Sequence, residues 1–323
     1  MFAVAASPAE RISFETAQIE QRDPRAMFVN KDGSLSDHVI KLLRLDSLYE
    51  EGDTLATAVA KTQSAWIGVN QGQGNKERTD LVDSEERRKI KDEVVQCAEA
   101  MGLFAKRPPA LRRYTYGVCH GAFLDGVRQN LTQLIVAWNQ GVHFEKLIFL
   151  TGERTLRNEP GKEDDLEKLC SNKRYPLCKN GWTKPADAPY ETEYDMVRLV
   201  WDQTELPKDM ADALTTDPAE SEEKVIFVNA PRGNNPRPGT KDTVQTLLKR
   251  QYLRPGTMLA CSYPLLWSYQ HLAVEPMLRK RGITLDTSAP EATPPILARY
   301  EKGLVSIIFD TVAKCLYEIK ASN

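Results

Sequence analysis

Residues 146–154 read KLIFLTGER, an apolar run that ends in a hydroxyl, a glycine, a carboxylate and a guanidinium. A short apolar run that stops at turn-forming residues is typical of a buried strand. Four further runs of this kind occur along the chain: YTYGVCHGA, KVIFVNAP, TMLACSYP and ITLDTSAP. Helical patterns lie between them, and the clearest has one apolar stripe through Leu124, Val127, Leu131, Leu134, Ile135 and Trp138.

Alternating strands and helices predict an α/β fold in which helices cover both faces of a parallel sheet. We therefore expect a Rossmann-like, doubly wound, mainly parallel sheet over residues 112–290. A polar insertion at 155–190 interrupts it and fits either a lid or a merely decorative loop. An added N-terminal arm and helical region occupies residues 1–111, and C-terminal helices at 291–323 pack on the core. In the N-terminal region, QGQGN is a weak candidate phosphate loop because no strand precedes it.

The overall charge is nearly balanced, with 43 basic and 45 acidic residues. Without a basic patch we expect neither nucleic acid nor a membrane surface as a partner. No apolar run approaches the roughly 20 residues that span a bilayer, and the N-terminal segment lacks the pattern of a signal peptide. Six scattered cysteines fit reduced thiols better than a disulfide scaffold. These features predict a cytoplasmic protein.

Polar residues and glycines follow several of the predicted strands. In open α/β sheets, ligands bind outside the carboxyl ends of the strands, close to helix N-termini. Arginines, hydroxyls and glycines in that position suit a small anionic molecule. Loops of any α/β protein are also rich in such residues, so a purely structural role stays open. The candidate ligand-binding residues are Gly121, Asp125, Thr151, Gly152, Arg154, Asn235, Arg237, Thr240, Asp242, Ser262, Tyr263 and Gln270.

Two residues at these strand ends are candidates for proton transfer. His120 follows Cys119, but neighbours in a strand point to opposite faces and cannot pair as nucleophile and base. We expect Cys119 to be a core residue and His120 to act as an acid, a base or an anion donor. Glu153 is a candidate general acid or base, with a structural ion pair to Arg154 as the alternative.

Several familiar signatures are missing from the sequence. There is no G-x-G-x-x-G after a strand, no Walker A sequence and no G-x-S-x-G elbow. Cys170 and Cys178 have no second pair of ligands nearby, and the four histidines lack ligand spacing, so we expect no metal site. No cofactor is assigned on this basis, and redox chemistry is disfavoured.

The order of features at the strand ends resembles the SanA/YdcF/ElyC-like family, a Rossmann-like domain of poorly defined function. The similar features are VCHGA, Arg128 in the next helix, LTGER, and the acidic helix start ETEYDMV with Glu191 or Glu193. They continue with PGTKDT, which contains Thr240 and Asp242, and with ACSYPLLWSYQ. The resemblance implies a nucleotide-like or S-adenosylmethionine-like ligand, with no particular activity attached to it.

The sequence thus predicts a protein that binds an anionic, nucleotide-like small molecule in a cleft at the strands' carboxyl ends. If it is an enzyme, transferase or hydrolase chemistry fits, with Glu153 or His120 moving a proton and Arg154 and Arg237 neutralising charge. The alternative is a non-catalytic module on the same scaffold, in which the N-terminal helices and the insertion bind another protein.

Overall fold

A five-stranded parallel sheet forms the centre of the first of two compact units. The computed structural model describes residues 16–67, 80–171, 175–215, 223–233, 237–250 and 253–322. Of these, the first unit takes residues 16–19, Pro109–Tyr263 and Met277–Ser288, and the second takes Glu20–Pro108, Pro264–Pro276 and residues 289–322. The strands are β1 (Arg113–His120), β2 (His143–Gly152), β3 (Val225–Ala230), β4 (Gly256–Cys261) and β5 (Ile283–Ser288).

The strands are arranged in the order β3-β2-β1-β4-β5. Every neighbouring pair is parallel, and Val118 at the centre lies between Ile148 of β2 and Ala260 of β4. The chain first winds outward from β1 to β3, then crosses to β4 and winds to β5. Together with the flanking helices, this confirms the predicted α/β fold and is consistent with a Rossmann-like, doubly wound sheet.

Helices connect the strands of the first unit. They are α5 (Leu124–Asn139), α6 (Leu166–Cys170), α7 (Glu193–Gln203), α8 (Lys208–Leu214) and α9 (Thr240–Lys249). The predicted stripe of α5 is buried, and it packs with Phe149 and with residues of α7 in one apolar cluster. Phe149 also stacks on Phe227 of β3, with ring centroids 4.8 Å apart. Apolar residues at every second strand position thus meet an apolar helix stripe, which is the arrangement that buries both.

The second unit is helical. Its helices are α1 (Asp37–Leu45), α2 (Leu55–Ala65), α3 (Glu85–Lys89), α4 (Lys91–Ala100), most of α10 (Trp267–Arg279), α11 (Pro294–Ala298) and α12 (Leu304–Ser322), with short 3₁₀ turns at Pro24–Met27 and Glu301–Gly303. Helix α12 packs on the N-terminal helices, where Phe309 stacks on Trp66 at 4.4 Å. The carboxylate of Asp83 accepts the backbone N–H groups of Val305 and Ser306 and so caps α12.

Four sequence expectations concern features outside the candidate site. Within the described ranges, no helix has both the length and the apolar character that crossing a bilayer demands. All six cysteines lie in described ranges and none forms a disulfide. Cys119 is a core residue, as the strand alternation predicts, and burial raises the pKa of its thiol. The QGQGN segment, the candidate phosphate loop, lies outside the described residues.

Candidate functional site

The carboxyl ends of the parallel strands form one edge of the sheet. Strand β1 ends at His120, β2 at Gly152, β3 at Ala230 and β4 at Cys261. The winding direction reverses between β1 and β4, and such a reversal opens a crevice at this edge because the two following connections leave in opposite directions. Most of the predicted site residues lie along this edge.

A buried ionic cluster stands beside the ends of β1 and β2. Arg154 is only 4% exposed, and its Nε donates to Glu193 Oε2 at 2.8 Å. Its Nη1 donates to Asp164 Oδ2 at 2.7 Å, and its Nη2 reaches the carbonyl of Ala122 at 3.2 Å. Burial favours loss of the Arg154 proton, but the charge of Glu193 and the hydrogen bond donated to Asp164 outweigh this effect and raise the pKa of Arg154. Arg154 is therefore held by protein acceptors.

Asp164 also occupies the start of helix α5. Its carboxylate accepts the backbone N–H of Leu124 at 3.2 Å and that of Arg157 at 3.1 Å. The hydroxyl of Tyr190 donates to the Asp164 carbonyl at 2.9 Å, which fixes this part of the insertion. The N-terminus of the first helix is the phosphate position of dinucleotide-binding sheets. Here a carboxylate of the protein's own insertion takes that position.

The two glycines of this region are explained by close contacts inside the protein. A Cβ atom on Gly121 would lie 2.0 Å from Glu193 Oε1 and 2.7 Å from the carbonyl oxygen of Leu150. A Cβ atom on Gly152 would lie 2.8 Å from Pro238 Cγ. At both glycines, atoms of the protein itself fill the space that a side chain would take. Thr151 is likewise engaged, since its hydroxyl donates to the carbonyl of Val228.

Glu153 makes no ion pair with Arg154, so the structural alternative considered for it is wrong. Its carboxylate accepts the backbone N–H of Arg232 at 3.1 Å, and its carbonyl accepts the Arg232 Nε–H. The Arg232 guanidinium also donates to Thr155 Oγ1. Glu153 is half-buried, while Arg232 is exposed. The carboxylate therefore lies at the solvent side of the edge, between the ends of β2 and β3.

His120 is buried at the end of the central strand, with 4% of its surface exposed. Burial lowers its pKa to about 4, so the imidazole is neutral at pH 7. A neutral imidazole offers one N–H donor and one acceptor. His120 is thus suited to hydrogen bonding at neutral pH and unsuited to holding a positive charge there.

Two side chains of helix α5 form hydrogen bonds to the carboxyl ends of β1 and β4. Asn130 Nδ2 donates to the carbonyl of His120 at 3.1 Å, and Gln133 Nε2 donates to that of Ser262 at 3.4 Å. The two amides are three residues apart and share one face of the helix. Ser262 and Tyr263, which follow β4, are both buried. The side chains of Asn130 and Gln133 thus connect helix α5 to the residues at the ends of β1 and β4.

The connection from β3 to helix α9 supplies exposed groups. Gly239 precedes the helix without a capping side chain, and its own N–H donates to Asp242 Oδ2 at 2.7 Å. Arg237 is exposed and Thr240, the first residue of α9, is half-buried. A glycine at this position leaves the first-turn amides accessible to an anion, although Asp242 offsets part of the helix's positive end.

Three candidates remain. Asp125 is in the first turn of α5, where its charge acts on Arg128. Gln270 is on α10 in the second unit. Asn235 lies outside the described residues.

Sequence reasoning missed Asp164 and the two amides of α5. Asp164 sits in KEDDLEK among other acidic residues, and nothing in that run distinguishes it. The sequence did contain a weak indication of Asn130 and Gln133. Both are polar residues next to the apolar stripe of a helix that covers the central strand.

Comparison with known proteins gives no relative. Neither a protein-family model, nor a curated protein, nor a solved structure matches this chain significantly.

Proposed function

We propose that the protein binds a small anionic, nucleotide-like molecule at the carboxyl edge of its sheet. The observation that carries this proposal is the strand order β3-β2-β1-β4-β5, with its reversal between β1 and β4. Open parallel sheets bind ligands in the crevice at such a reversal. The resemblance of the strand-end motifs to the SanA/YdcF/ElyC-like family supports the same class of ligand, either phosphate-bearing or S-adenosylmethionine-like.

The anionic part of this ligand belongs at the first turn of α9. Asp164 already fills the equivalent position on α5, where it accepts the N–H of Leu124. A second anion there would meet two buried carboxylates, those of Asp164 and Glu193. At α9, in contrast, Gly239 adds no side chain and the Arg237 guanidinium is exposed. Charge-assisted hydrogen bonds from such groups are the usual means of binding phosphate.

The uncharged part of the ligand extends toward β1. There the neutral His120 and the buried Ser262 and Tyr263 provide hydrogen-bonding groups of low charge. If the bound molecule reacts, Glu153 is the residue for proton transfer, because its carboxylate is half-buried and lies between the two regions. This assignment fits a transferase or a hydrolase.

A non-catalytic binding module is the second candidate. It is favoured by the internal bonds of Arg154 and Thr151, which direct two predicted functional groups into the protein itself. Both candidate functions involve the same ligand. An enzyme converts it to a product, whereas a binding module releases it unchanged.

Thermal denaturation with a panel of nucleotides, S-adenosylmethionine and sugar phosphates tests the proposal. A compound present at one hundred times its dissociation constant should stabilise the protein by about 2.7 kcal/mol. For that compound, Arg237→Gln should raise the dissociation constant about tenfold, or about 1.4 kcal/mol. Arg250→Gln is the matched control, since Arg250 is at the other end of α9 and donates to the Phe227 carbonyl.

Equal weakening by both arginine variants, or no stabilisation by any member of the panel, would contradict this site. The products of an overnight incubation then separate the two candidates. A transferase or hydrolase should lose turnover with Glu153→Gln while its affinity for the ligand is kept, whereas a binding module returns the ligand unchanged.

A further inference from the structure

A cavity of about 300 Å³ lies at the opposite, amino end of the sheet. Strands β1 and β2 begin there, with Arg113 in register with His143. Both residues line the cavity, together with Tyr114, Phe144 and Glu145 of the same strands. The cavity is entirely within the first unit and separate from the carboxyl edge. Its volume is at the lower end of the range for small-molecule sites, which is about 300–1,000 Å³.

Aromatic rings form the walls of this cavity. Trp138 meets Phe144 edge to face at 5.1 Å and His143 at 4.5 Å. The indole N–H of Trp138 donates to Asp209 Oδ2 at 2.8 Å, so this wall is fixed in orientation. Tyr114 is fixed too, because its hydroxyl donates to Asp286 Oδ2 at 2.6 Å. Trp138 and Phe144 are only 5% and 3% exposed, so a flat ligand meets them edge to face along a narrow accessible strip.

One guanidinium, that of Arg113, and one carboxylate, that of Glu145, line the cavity. Arg113 is exposed, and no ion pair joins it to another of the described residues. The carboxylate of Glu145 is paired with Arg254. Asp209 accepts the Trp138 N–H and does not line the cavity. A guanidinium beside an apolar surface is the group that proteins use for planar recognition of a carboxylate.

We infer that this cavity binds a small aromatic carboxylate, with the ring against Trp138 and Phe144 and the carboxylate on Arg113. The inference is independent of the function proposed for the carboxyl edge, because no residue is shared between the two sites. The small side chain of Ala213 on α8 lines the cavity and leaves room for the ring.

Benzoate and its uncharged isostere benzamide are the probes. Saturation-transfer NMR titrations of the full chain should show benzoate bound at least fivefold more tightly than benzamide, because only benzoate pairs with Arg113. Arg113→Gln should remove this preference. Arg112→Gln is the matched control: Arg112 is the adjacent exposed arginine, donates to the Gln140 carbonyl and does not line the cavity. It should leave the preference unchanged.

A second variant tests the cavity itself. Ala213→Leu keeps a good helix former at an exposed position of α8, so the fold should be retained while the larger side chain fills the space. Saturation transfer to both probes should be lost. The inference is overturned if benzoate shows no saturable binding at about 10 mM, well above a millimolar dissociation constant. It is also overturned if Arg113→Gln and Arg112→Gln behave alike or if Ala213→Leu binds both probes normally.

Discussion

Gly121 and Glu193 are in such close contact that each restricts the other. The space for a Gly121 Cβ is taken by Glu193 Oε1, and that carboxylate is itself held by Arg154 at 2.8 Å. The three residues come from the end of β1, the start of α7 and the segment after β2, so one side chain added at Gly121 disturbs three elements. Overpacking of this kind costs stability because a buried ion pair cannot move without losing its partner.

Gly121→Ala should therefore lower the free energy of unfolding by about 3 kcal/mol. The matched control is Gly233→Ala, since a Cβ at Gly233 has no atom within 4 Å and the residue is exposed. Urea denaturation followed by tryptophan fluorescence measures both. Equal stability of the two variants would show that Glu193 is not packed against Gly121.

The buried imidazole of His120 predicts a pH dependence of stability. Its pKa falls from an ordinary 6.5 to about 4 in the folded state. Between these values the unfolded chain binds a proton that the folded chain does not, so stability falls as the pH falls through this window, by about 3 kcal/mol. His271, whose pKa burial lowers to about 3, contributes in the same direction.

Urea denaturation at several pH values between 4 and 7 measures this effect. In His120→Gln, acidification should lower the free energy of unfolding by about 3 kcal/mol less than in the unmodified protein, because the contribution of His120 is removed. An unchanged pH slope in the variant would mean that His120 titrates alike in both states.

The long insertion is attached to the sheet domain through a buried arginine. Arg128 of α5 is 4% exposed and donates to the carbonyls of Lys168 and Leu169 at 3.0 and 2.7 Å. It also donates to Gln203 Oε1 of α7 at 2.6 Å and stacks on the ring of Tyr175. One side chain thus joins both halves of the insertion to two helices, which indicates that the insertion is part of the folded unit.

Arg128→Lys should loosen this attachment, because lysine lacks the planar fork that reaches three acceptors. Hydrogen–deuterium exchange should become at least tenfold faster across residues 158–171, with the sheet unaffected. Arg198→Lys on α7 is the control, since Arg198 is exposed and lies over the ring of Tyr194. Unaltered exchange of the insertion in Arg128→Lys would assign its attachment to other contacts.

At the scale of the whole molecule, the sheet was predictable and the site was only partly so. Runs such as KLIFL are buried on both faces, so their apolar composition alone marks a central strand. Parallel pairing then places the strand ends at one edge, which is why His120 and Gly152 could be located there. The partners of Arg154 could not be predicted, because Asp164 and Glu193 are 10 and 39 residues away and reach it only through the fold.

Mapping the bound ligand on the protein would locate its site at the carboxyl edge of the sheet. Amide chemical shifts of the ¹⁵N-labelled chain would be followed during titration with the compound of the panel that stabilises it most. The largest changes should occur at Gly121, Gly152 and Thr240, at the ends of β1 and β2 and the start of α9. Changes confined to other regions, such as the amino end of the sheet, or no saturable change with any nucleotide, sugar phosphate or S-adenosylmethionine, would contradict binding at the carboxyl edge.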